Sequence, residues 1–248
     1  MLMLNKNIVQ LVDENYIYAR ALHYLGIRFM DFADKTLIEV CRQRHININT
    51  VLKTLDSFTK NEETDQADLN AFPIGLIIGY LKHSHHTFIK DRLPYIHSLI
   101  DSLQIEAHQN NDLKDLHLIF PVFLEDFIKH IYEEEDTLFG YILSLEKFDI
   151  HDQKSVSEVI IGSNKHTLKE ISREHSEEDE MEGLREMISC IMDQENNDVV
   201  VKTIVKELLA FDEELTNHAH VENDILFPKV IALEEKILSQ LEELSALN

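Results

Sequence analysis

Four long stretches of this sequence, roughly residues 74–104, 112–147, 153–193 and 198–245, bring back an apolar residue every third or fourth position. That period is helical, so each stretch is expected to form a long α-helix that buries one stripe. Polar clusters such as Gln109-Asn110-Asn111-Asp112 and Asn196-Asn197-Asp198 separate them. Long helices with short connections pack as an up-down-up-down four-helix bundle, which makes the expected fold all-α. Only 6 Gly and 4 Pro occur in 248 residues, too few turn formers for a sandwich, a barrel or a sheet of many short strands.

Charge divides the chain. Residues 1–57 hold 7 basic and 6 acidic groups, whereas residues 58–248 hold 16 and 40. This difference predicts a small N-terminal helical domain over 1–58, a polar linker over 59–71 and the bundle over 72–248. Helices are expected near Ile8–Leu25, Thr36–Arg44 and Asn49–Phe58, with Gly26 capping the first; so short a unit makes a marginal core.

A formal net charge of −23 repels a phosphate backbone and an anionic membrane and favours a small cation as partner. Leu69–Leu81 is too short to span a bilayer and Met1–Gln10 lacks the apolar centre of a signal peptide, so a cytoplasmic location is expected. Cys41 and Cys190 match neither a disulfide framework nor a metal knuckle and read as reduced thiols. No glycine-rich phosphate loop, HExxH motif or GxSxG elbow is present, which argues against phosphoryl transfer and serine hydrolysis.

One pattern occurs twice. His130-x3-Glu134-x3-Leu138-Phe139 and His218-x3-Glu222-x3-Leu226-Phe227 share identical offsets. On a helix, positions i and i+4 project from one face, so each pair aims an imidazole and a carboxylate at the same point. Two further histidines fall on apolar stripes: His86, through Ile89, Leu93, Ile96 and Ile100, and His175, through Leu168 and Ile171. His166 competes with His175, while His83 and His85 read as outer or solvent-facing neighbours of His86. The acidic runs Glu133–Asp136 and Glu177–Glu180 read as solvated faces, with Glu134 the exception. Buried carboxylates need a compensating charge, and two divalent cations supply it, each held by two His and bridged by Glu134 and Glu222. Mixed imidazole and carboxylate donors suit iron, manganese or zinc, and open positions for an oxo or hydroxo bridge point to a pair of iron ions.

These residues resemble the hemerythrin-like proteins, and more closely the di-iron repair-of-iron-centres family. Similar motifs are His86 to Leu93-Pro94, the two His-x3-Glu segments ending in Leu-Phe, and Glu174-His175-Ser176-Glu177-Glu178. The resemblance favours His175 over His166 and implies six ligands: His86, His130, Glu134, His175, His218 and Glu222. It implies repair of damaged iron-sulfur clusters under nitrosative or oxidative stress, by iron donation or by nitric oxide reduction. The other functional class is a module that senses or stores dioxygen, nitric oxide or iron without turnover. Leu22–Ile27 and Lys35-Thr36-Leu37 resemble the family's N-terminal domain, but Phe29–Asp34 stands where that domain carries Cys-Cys-Gly-Gly. Thiol chemistry there is not expected of this chain.

Overall fold

A computed structural model describes residues 3–60, 69–103, 111–163, 168–177, 179, 181–192 and 198–246, the side chains of 174–177 and 245–246 excepted. Among these residues all regular structure is helical, apart from an isolated antiparallel bridge between Asn7 and Thr36. No described helix is long and apolar enough to cross a membrane. Contacts gather the chain into two compact units: residues 1–66, 92–121 and 183–211 in the first, and 67–91, 122–182 and 212–248 in the second. Of the expected linker, residues 61–68 lie outside the described ones.

In the first unit, the stretch expected as one helix from Ile8 to Leu25 is two, α1 (Ile8–Glu14) and α2 (Ile17–Tyr24), because Asn15 adopts an extended conformation. Asn7 and Gln10 form a capping box at the start of α1, and Thr36 and Glu39 form another at α3 (Leu37–Arg44). Gly26, at φ +72°, ends α2: its N–H donates to the His23 carbonyl while that of Ile27 donates to Leu22. A fourth helix, α4 (Ile48–Lys60), buries Val51 and Leu55. Cys41 is buried, which pushes its thiol pKa up and leaves it a small core residue; Cys190 is exposed and also free.

Three of the four periodic stretches are long helical runs, each broken by one π turn. These are α5 (Ile74–Thr87), then Phe88–Arg92, then α6 (Leu93–Asp101); α7 (Asn111–Glu133), Glu134–Leu138 and α8 (Phe139–Glu146); and, near the chain's end, α12 (Val199–His220), Val221–Leu226 and α13 (Phe227–Ala246). The remaining stretch is three helices, α9 (Gln153–Ser163), α10 (Leu168–Glu177) and α11 (Glu182–Met192). Asp179 is non-helical, and its carboxylate accepts from the Met181 N–H where the chain turns toward α11.

The core of the second unit includes Ile77, Leu81, Phe139, Ile142, Leu226 and Phe227. Glu234, buried on α13, accepts from the Tyr141 hydroxyl at 2.7 Å and from the Leu168 N–H at 3.2 Å. Its carboxylate thus sits at the N-terminus of α10, where the helix dipole favours negative charge. Gly162 on α9 lies directly against the Tyr141 ring, so an added methyl group would overlap it. The ring cannot swing aside without releasing Glu234. Gly162→Ala should therefore lower the urea midpoint, its overpacking cost of about 1–3 kcal/mol outweighing the gain of about 1 kcal/mol from alanine's helix propensity. A midpoint raised by the substitution would show that the α9 contact is loose.

Candidate metal centre

Four side chains converge in the second unit: His85 from α5, Glu134 at the π turn after α7, His218 near the end of α12, and Glu222 in the following π turn. One donor atom from each lies within 4.8 Å of the others. His85 Nε2 is 2.9 Å from His218 Nε2 and 3.4 Å from Glu134 Oε2, while His218 Nε2 is 3.1 Å from Glu222 Oε1. Relative exposure is 1% for His85, 7% for Glu134 and 1% for Glu222, and the His218 side chain is 10% exposed.

Apolar rings hold the imidazoles. Phe139 stacks on His85 at 5.7 Å between centroids, and Phe88 meets His218 edge-on at 5.6 Å. Burial pushes both histidine pKa values down to about 4, with the neighbouring His218 adding to the effect at His85, so both rings are neutral at neutral pH. The Glu134 carboxyl moves the other way. Burial first, then the charge of Glu222 and a hydrogen bond with it, raise its pKa well above the ordinary carboxylate value.

Such a group is costly unless something positive joins it. Glu134 Oε1 and His218 Nδ1 are buried without a hydrogen-bond partner. A divalent ion with bonds of about 2.0–2.2 Å places adjacent donors near 3 Å apart and opposite ones up to about 4.4 Å apart. Three of the separations, 2.9, 3.1 and 3.4 Å, match adjacent donors, and all four lie within 4.8 Å, so this group could hold a metal ion with small side-chain movements.

Of the six residues read from the sequence, Glu134, His218 and Glu222 meet here. His130 is half-buried and close enough to His85 to influence its charge, yet it stands outside the four. The side chain of His175 and all of His166 lie outside the described residues. His86 requires correction: it is exposed, and His85 occupies the interior position instead. The cause is the π turn Phe88–Arg92, which accommodates one more residue than an α turn. Counting back from Leu93 in α-helical steps therefore lands one residue late. A second residue read as solvated, Glu135, receives a hydrogen bond at its Oε1 from His85 Nδ1, 2.9 Å away. Counting forward does mark His85, which follows the buried Ile77 and Leu81 of α5 in steps of four, whereas Glu135 depends on packing between helices and has no spacing signal.

The two His-x3-Glu copies also differ in backbone. One π turn begins at Glu134 and the other begins before Glu222, so identical spacing does not produce identical placement. No family model matches the chain, and no curated protein matches it.

Proposed function

We propose that this is a non-haem iron protein with a hemerythrin-like four-helix bundle around a carboxylate-bridged pair of iron ions. The observation that carries the reading is the buried convergence of His85, Glu134, His218 and Glu222. In this reading His85, Glu134, His218 and Glu222 would hold the iron, with His130 and His175 as the further donors expected from the sequence. The reading keeps the bundle over 72–248 and a small helical domain over 1–58, as expected from the sequence. The two neutral imidazoles offer lone pairs, the carboxylates balance the ionic charge, and Phe88 and Phe139 exclude bulk water from His218 and His85.

The function most consistent with this centre, and with the sequence resemblance, is repair of iron-sulfur clusters under nitrosative or oxidative stress. Ferrous iron held by these residues would supply electrons to a small diatomic such as nitric oxide or dioxygen, or would be the iron that is donated. Anaerobic loading with ferrous iron is expected to give two irons per chain and, after air oxidation, near-ultraviolet absorption of an oxo-bridged pair. Iron transfer to an apo iron-sulfur protein identifies a donor, and nitric oxide consumed over many cycles with a reductant identifies a reductase. A chain that takes up only zinc, or no metal, overturns the proposal.

A further inference from the structure

Beside the four donors stands a further carboxylate, Glu135, which meets the far side of the His85 ring. Glu135 Oε1 lies 2.9 Å from His85 Nδ1, on the opposite edge of the ring from Nε2. Its other oxygen, Oε2, is 3.5 Å from Lys82 Nζ. Lys82 and His85 lie on α5, and Glu135 lies in the π turn after α7, so the contact ties two helices together at the site. The Lys82 ammonium also sits 5.9 Å from the centre of the Phe139 ring, whose face stacks on His85.

We propose that Glu135 is a positioning residue that locks the His85 ring with its Nε2 lone pair facing the metal position, and that Lys82 holds the Glu135 carboxylate in that pose. The proposal rests on the metal reading above. An imidazole must be neutral to bind a metal, and a neutral imidazole has only one N–H. An ionised carboxylate can only accept, so the proton must be on Nδ1, and Nε2 carries the lone pair. Without that acceptor the ring can place its proton on Nε2, where it blocks the metal, and can rotate about the Cβ–Cγ bond. Removal of such an outer partner typically weakens metal binding by about 10- to 100-fold.

Cobalt(II) titration of the metal-free full-length chain, followed by its visible absorption, tests this together with 15N NMR of the His85 tautomer. The unaltered chain is expected to bind cobalt and to show His85 protonated at Nδ1. Glu135→Ala should weaken cobalt binding by about 10- to 100-fold and yield mixed tautomers. Glu135→Gln should recover most of the affinity, because its side-chain carbonyl still accepts from Nδ1. Glu135→Ala also leaves the buried His85 N–H without its acceptor, so the thermal midpoint of the metal-free variant should fall, and Glu135→Gln should restore it along with the Nδ1 tautomer. Equal affinity in Glu135→Ala and the parent overturns the positioning role alone, as does a parent tautomer protonated at Nε2. Failure of the unaltered chain to bind cobalt overturns the metal reading and this role with it.

Discussion

Glu134→Leu and Glu222→Leu each abolish metal loading and, in metal-free protein, raise the urea midpoint. The two expectations have one cause. Both carboxylates are almost wholly buried, and Glu134 has an oxygen with no hydrogen-bond partner, so the apo fold carries an uncompensated desolvation penalty. Leucine has similar volume and needs no partner, and the site's imidazoles are already packed against the Phe139 and Phe88 rings. Replacing buried charge by well-packed apolar groups is neutral or stabilising by about 1–4 kcal/mol. Stability gained as function is lost is the signature of a site kept for its ligand. A urea midpoint lowered in both variants would falsify this view and make the carboxylates structural.

Proton competition supplies a sign for the same site. His85 and His218 titrate near pH 4, so metal loading should be full at neutral pH and fall as the pH drops through about 4, where both imidazoles take up a proton and lose their lone pairs. Burial and the neighbouring Glu222 raise the Glu134 pKa, which acts in the same direction by favouring a proton over the metal as the pH falls. Loading that does not change between pH 7 and pH 3 would show that these side chains are not the donors.

Glu207→Gln is expected to lower stability by about 3–5 kcal/mol, the largest loss from a single substitution in the first unit. Glu207 is fully buried, and Arg92, 4% exposed, donates from Nη1 to its Oε2 at 2.6 Å. Arg20 Nη1 lies 3.9 Å from the same oxygen, so two guanidinium groups share one carboxylate. The neutral amide would remove the buried negative charge that faces both guanidinium groups. The double variant Arg92→Met with Glu207→Leu should recover much of the loss, since it removes charge from both sides. Equal urea midpoints for the parent and Glu207→Gln would show that water reaches the pair.

Helix could be read from the period of the apolar residues because any α-helix packed on one side needs that period, whatever it packs against. Glu134, His218 and Glu222 were legible for the same reason: each lies on its own apolar stripe, at a local spacing that a helix converts into proximity. His85 is missed when the stripe is counted back from Leu93, because the π turn Phe88–Arg92 shifts the phase by one residue, but counting forward from Ile77 and Leu81 reaches it. Glu135 looked like one more member of a solvated acidic run, and only the approach of α5 to the π turn after α7 gives it a partner. The breaks at Asn15 and at Asp179, before α11, were likewise hidden, since short-range propensity does not specify where a helix stops when packing can end it.

The amino-acid order alone determined what depends on neighbours within a turn or two: the helices, their capping boxes at Asn7 and Thr36, and the pairing of an imidazole with a carboxylate on α12 and its π turn. Tertiary structure decided everything that joins distant positions, such as Arg92 with Glu207, 115 residues apart, and His85 with His218, 133 apart. The physical reason is that local spacing fixes direction around one helix axis. Which helices meet, and with which face, is set by the summed burial of their apolar stripes.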